Sequence, residues 1–96
     1  MKKFILLLFI FILGLYGQEE KILTKEDLDK GYAGIGVYKD TKETLYKGEF
    51  MNGKSEGSGK TLWQNGDTYE GQYSDGNMDG LGKFYYSNGD IYEGYY

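Results

Sequence analysis

Four residue types are missing from this 96-residue chain, among them Cys, His and Pro. Its 11 basic residues are all Lys, so Arg is absent as well. Each absence excludes something. Without Cys there is no disulfide, no thiolate zinc site and no lipid attachment through an N-terminal Cys. Without His, a Ser-His-Asp triad, an imidazole metal site and an acid/base group poised near neutral pH are all excluded. Without Arg, and with 15 acidic residues, the chain lacks the clustered cations that nucleic acid and anionic lipid reward. Long apolar runs are scarce too, and the one that exists stands at the start.

Residues 1–17 read as a secretory signal. Lys2 and Lys3 form a short basic region, Phe4 to Leu13 is unbroken apolar sequence, and small residues follow at Gly14 and Gly17. The chain then turns polar at Gln18-Glu19-Glu20. A membrane-spanning helix needs about 20 apolar residues, and even Phe4 to Tyr16 falls short of that. Cleavage is expected after Gly17, although Leu15 at the −3 position is larger than usual. The expected location is therefore exported: periplasmic, cell-surface or extracellular. The exported part keeps 79 residues with nine Lys against the 15 acids, a net of −6. A domain that small builds a modest core.

Residues 18–31 form a polar linker or a short helix. Thr24 followed by Asp27 is a capping-box-like start, Leu28 adds an apolar contact, and Gly31 is placed to end the turn.

The rest of the chain repeats. Tyr46-Lys47-Gly48-Glu49-Phe50 recurs as Tyr69-Glu70-Gly71-Gln72-Tyr73 and as Tyr92-Glu93-Gly94-Tyr95-Tyr96, 23 residues apart each time. Gly57 and Gly59 recur as Gly80 and Gly82, Asn65-Gly66-Asp67 as Asn88-Gly89-Asp90, and Asn52-Gly53 as Asp75-Gly76. One period earlier stand Gly34 and Gly36. Tyr-x-Gly-x-aromatic, then Gly-x-Gly, then Asn/Asp-Gly resembles the MORN repeat (membrane occupation and recognition nexus). The resemblance covers residues 32–96: a half-repeat at 32–45, repeats at 46–68 and 69–91, and a partial repeat at 92–96. The half-repeat departs from the pattern, with Thr41-Lys42-Glu43 in place of the Asn-Gly turn. The family implies a non-catalytic array that works as a docking surface.

The residues themselves specify an all-β fold. Asn-Gly and Asp-Gly mark tight turns, because Gly accepts φ > 0 at no steric cost. Between them lie short segments rich in Tyr, Phe, Trp and Thr, which suit strands. The expectation is a single-layer, wholly antiparallel meander of about six strands near 34–39, 44–50, 57–63, 67–73, 80–86 and 90–95. Two registers are open at Asn65-Gly66. A two-residue loop sets Leu62 opposite Tyr69. A three-residue loop, Gln64-Asn65-Gly66, sets Thr61 opposite Tyr69 and Trp63 opposite Asp67. The second also pairs Lys60 with Glu70 and Lys83 with Glu93, each cross-strand pair contributing roughly 0.2–1 kcal/mol. It gathers Tyr46, Phe50, Trp63, Tyr69, Tyr73, Phe84, Tyr86 and Tyr92 on one face, and is preferred.

Glycines inside strands each cost about 0.5–1 kcal/mol, so something must offset them. The preferred register puts Gly59 opposite Gly71 and Gly82 opposite Gly94. That leaves a strip of bare backbone on which rings can lie. A repeat array of this kind wants capped ends. The last strand, at Tyr92 to Tyr96, serves either as a cap or as an edge for self-association or a partner.

Other motifs give way to simpler readings. Asp75 to Gly80 resembles half an EF-hand loop, but the position of its bidentate Glu holds Tyr86. Gly31 to Gly36 lacks Walker spacing and a following helix. Glu49, Glu70, Glu93, Asp67 and Asp90 recur at repeat positions, which suits surface charge pairing better than a glycosidase cleft. No catalytic residue, cofactor or metal is expected, and nucleic acid is not a partner. The eight aromatics are the candidate binding face. The favoured partner is a protein, with a phospholipid surface or a glycan stacked on Trp63 as alternatives.

Overall fold

The computed structural model describes residues 20–96. The signal-peptide expectation, and any N-terminal helix with it, lies outside the described residues. Strand β1 (Lys21–Ile22) leads into helix α1 (Lys25–Asp29). Then come β2 (Gly34–Lys39), β3 (Leu45–Met51), β4 (Lys54–Leu62), β5 (Thr68–Ser74), β6 (Asn77–Tyr85) and β7 (Ile91–Tyr95). All seven strands form one sheet in sequence order. From β2 to β7 every pairing is antiparallel.

The expectation of antiparallel pairing throughout fails at one place. β1 pairs in parallel with β2, Lys21 facing Gly36 and Ile22 facing Val37. The reason is connectivity: α1 carries the chain back, so both strands run the same way. The helix itself starts as its residues demand. Thr24 Oγ1 accepts the Asp27 N–H at 3.1 Å, and Asp27 Oδ2 accepts the Thr24 N–H at 2.9 Å. That bond to Thr24 holds the Asp27 carboxyl below its ordinary range. Gly31, at φ 84°, ends the helix, its N–H on the Leu28 carbonyl and the Tyr32 N–H on that of Asp27, a Schellman closure.

The turns explain the register. Asn52-Gly53 and Asp75-Gly76 have positive φ at both residues, the type I′ pattern that matches strand twist. At the other end of the sheet the Trp63 N–H donates to Asp67 O at 2.9 Å and the Gly66 N–H to Trp63 O at 3.0 Å. This is the three-residue loop, and it fixes Thr61 opposite Tyr69. One period later Phe84 faces Tyr92 across the same kind of loop. The half-repeat also closes its hairpin. Glu43 takes the left-handed position at φ 66°, and Asp40 Oδ1 accepts the N–H groups of Lys42 and Thr44.

The expected charge pairs are realised unequally. Lys60 Nζ lies 3.9 Å from Glu70, both half exposed, so the pair contributes about 0–1 kcal/mol. Lys83 faces Glu93 in register, but its ammonium sits 5.3 Å from the centre of the Tyr85 ring.

The expected strip of bare backbone is longer than two pairs. Gly36, Gly48, Gly59, Gly71, Gly82 and Gly94 face one another in turn from β2 to β7. A Cβ on Gly59 would lie 2.3 Å from Tyr46 Oη, and one on Gly82 would lie 2.2 Å from Tyr69 Oη. Each tyrosine therefore lies flat on its neighbour's backbone, at a closeness that only Gly permits. Leu23 does the same at the start of the row, its side chain against Gly36. Leu23 stands one 23-residue period before Tyr46.

Candidate docking groove

The front of the sheet is built from the same tyrosines. Each reaches along its own strand and donates to a carbonyl three residues on: Tyr46 to Glu49 at 2.7 Å, and Tyr69 to Gln72 at 2.9 Å. The aromatic at the end of each unit then meets two of them edge-on. Phe50, Tyr46, Tyr73, Tyr69, Tyr96 and Tyr92 run as an unbroken series of perpendicular rings, centroids 4.8–5.2 Å apart. Such contacts add about 0.5–1.5 kcal/mol each beyond area burial. Thr61, buried beneath them, shares a short hydrogen bond with the Tyr73 hydroxyl. Burial raises the hydroxyl pKa of Tyr46 and Tyr69, and pushes that of Tyr73 up to about 12.

The eight sequence-selected aromatics share this face but hold different positions. Tyr46, Phe50, Tyr69 and Tyr73 are the core itself, at most 9% exposed. Trp63 and Phe84 are half-buried and stacked, centroids 5.3 Å apart, with Tyr86 tilted against Phe84. Tyr86 and Tyr92 are nearly half exposed. The periodicity already pointed to Leu23, a core member before Tyr46, and to Tyr96, half-buried against the core after Tyr73, which sequence reasoning left out.

A groove of about 470 Å³ runs over the first repeat. Its floor is Tyr46, Phe50, Thr61 and Tyr73; Tyr38 and Trp63 stand at the loop end. Leu28, Gly53, Gly76 and Met78 stand at the type I′ turn end. Tyr38 and Met78 were legible but missed: Tyr38 stands one period before Thr61, and a two-residue turn at Asp75-Gly76 sets Met78 opposite Tyr73. Leu28, expected to make an apolar contact, had nothing in its spacing to place it on this face. The polar groups beside the floor have structural partners. Asp40 holds its own loop, and Lys54 is paired with Asp75 at 3.3 Å. Among the described residues, no group of three Asp, Glu, His or Cys side chains is placed to hold a metal ion. Among the described residues, no helix is long and apolar enough to cross a membrane.

Residues 46–68 and 69–91 each match the MORN repeat. The chain contains two MORN repeats. No curated protein matches it. MORN repeats are non-enzymatic modules that mediate contacts with proteins or membrane lipids. Both matched units lie within the glycine-row sheet, and together they make the groove floor, Tyr46, Phe50 and Thr61 from the first and Tyr73 from the second.

Proposed function

We propose that this MORN protein is an exported, non-catalytic scaffold that docks a partner protein at the cell envelope. One observation carries the reading: an open apolar groove stands over a rigid ring-and-glycine sheet. The floor rings are fixed by edge contacts and backbone hydrogen bonds, so a partner meets a preformed surface and little order is lost on binding. Export rests on the basic-then-apolar pattern of residues 1–17.

A phospholipid surface is the alternative that the family brings. The exported part's net charge of −6 and its lack of Arg count against attraction to anionic headgroups. A glycan on Trp63 has less support. The hollow beside that ring contains Asn65 and Asp67, which are bonded to each other at 2.9 and 3.1 Å.

The test is affinity capture from the native envelope with the parent protein and a Trp63→Lys variant. The parent should retain a discrete protein that the variant loses. Flotation of the purified protein with anionic vesicles, with no such protein captured, would refute docking and favour the lipid reading.

A further inference from the structure

Asn is a chemically labile side chain. It is most labile before Gly, which has no Cβ to hinder attack by its own nitrogen. The chain has three such pairs, Asn52-Gly53, Asn65-Gly66 and Asn88-Gly89. All three Asn are exposed. In all three the Gly N–H is bonded, to Tyr32 O at 2.9 Å, Trp63 O at 3.0 Å and Tyr86 O at 2.9 Å respectively. The side chains differ. Asn65 Oδ1 accepts the Asp67 N–H at 2.9 Å, and Asn65 Nδ2 donates to the Asp67 carboxylate at 3.1 Å. Asp90 holds Asn88 in the same way, at 2.9 and 3.3 Å. Asn52 has Lys54 in that place. Lys54 faces Met51 across the turn and its ammonium is paired with Asp75. Among the described residues, nothing clamps the Asn52 amide as Asp67 and Asp90 clamp theirs. The bonds on glycine differ in origin as well. Trp63 and Tyr86 belong to the same loops as Gly66 and Gly89. Tyr32 instead follows α1, a five-residue helix with no buried residue, the kind of segment that opens locally while the rest stays folded.

We propose that Asn52 is a site of spontaneous deamidation, and that its isoaspartyl product releases α1 from the sheet. When α1 lifts, the Gly53 nitrogen is freed and attacks Asn52 Cγ. A C–N bond forms, the Cγ–Nδ2 bond breaks, and ammonia leaves with the Gly53 amide proton. Water then opens the succinimide ring. Opening at Cγ gives aspartate; opening at the main-chain carbonyl gives isoaspartate, whose main chain runs through Cβ. Aspartate suits the turn, as Asp75 shows one period later at φ 50° against 52° for Asn52. Isoaspartate adds a methylene to the main chain of a two-residue turn. Gly53 cannot then keep its place under α1, where a Cβ would lie 2.0 Å from the Leu28 carbonyl oxygen, or its bond to Tyr32 O. The equivalent turn of the next repeat carries no such load, since a Cβ on Gly76 would meet only Lys54, at 4.0 Å. The proposal is independent of the docking reading.

The purified protein is kept in warm, mildly alkaline buffer. Its peptides are followed by mass and by chromatography that separates aspartyl from isoaspartyl forms. Asn52 should convert about tenfold or more faster than Asn65 and Asn88, each of which must first break two hydrogen bonds. Asp67→Ala removes one of those bonds and should speed Asn65 about threefold or more. Asn88 in the same molecule should stay slow, which separates loss of the clamp from unfolding, and Asp90→Ala repeats the test at Asn88. The isolated isoaspartyl form should exchange the amide hydrogens of residues 25–32 faster than Asn52→Asp does, with the sheet amides unchanged. Conversion of Asn65 or Asn88 as fast as Asn52, or no gain in either clamp variant, overturns the proposal. So does an Asn52 that persists while a synthetic peptide of residues 49–56 converts. An isoaspartyl form whose residues 25–32 exchange no faster than those of Asn52→Asp overturns the release of α1.

Discussion

Gly82→Ala should be among the most damaging single-methyl additions in this protein. The new Cβ would lie 2.2 Å from Tyr69 Oη and 2.4–2.5 Å from two ring carbons. Tyr69 is fully buried and has no room to yield. Tyr73 and Tyr96 hold its ring edge-on at 5.2 and 4.9 Å, and its hydroxyl is bonded to Gln72 O. Overpacking a site of this kind costs about 1–3 kcal/mol. Partly expelling the ring loses much of the roughly 1.5–3 kcal/mol from its burial. Ala in a strand returns about 0.5–1 kcal/mol. The expected loss is about 2–5 kcal/mol. Gly94→Ala is the matched comparison, since there the Cβ meets Tyr92 Oη at 2.9 Å and Tyr92 is 48% exposed. That ring can swing outward, so the loss should stay under about 1 kcal/mol. Urea unfolding followed by near-ultraviolet circular dichroism measures both. If Gly82→Ala unfolds within error of the parent, or no worse than Gly94→Ala, the packing of rings on glycine is wrong.

Thr61→Val should cost about 1–3 kcal/mol in urea, because the buried Tyr73 hydroxyl loses its partner. Leu23→Ala should cost about 2–4 kcal/mol and loosen β1 in hydrogen exchange, since Leu23 is 5% exposed and covers Gly36. Alkaline titration should find stability unchanged below the ordinary tyrosine range near pH 10 and falling from there toward about 12. The sign follows from the raised folded-state pKa of Tyr46, Tyr69 and Tyr73: above pH 10 the unfolded chain gives up protons that the folded one keeps. Absorbance of tyrosinate followed alongside circular dichroism checks it, and steady stability through pH 12 would contradict it.

Much of the fold was legible because the sequence states it more than once. Turn chemistry, charge placement and the alternation of aromatics all select the register with Thr61 opposite Tyr69, and a slip of one residue would break all three. The β1 pairing was not legible. Two residues make no pattern, and Leu23 lacks the aromatic signature of its later equivalents although it keeps their spacing. Glu43 was hard to foresee in a left-handed turn position, where Gly or Asn is usual. Two carbonyl-like bonds from Asp40 make that loop close without them. The pairing of Lys83 with Glu93 was legible as register. The ammonium's actual place over Tyr85 depends on a neighbour two residues along the same strand.

The candidate site was the least legible part, for a physical reason. The periodic rings are spent on the core, where each tyrosine fills the space left by a glycine on the next strand. What makes a groove is a break in the period. α1 covers the turn of one hairpin and leaves the equivalent turn of the next bare, and Trp63 stands where the other units hold Asp40 and Tyr86. Repetition thus supplies the rigid sheet, and the groove lies where adjacent units stop being equivalent. The residues most worth changing to test function are therefore Leu28, Trp63 and Met78, which border the groove outside the buried series of rings; changes at Tyr46 or Tyr69 would mainly test stability.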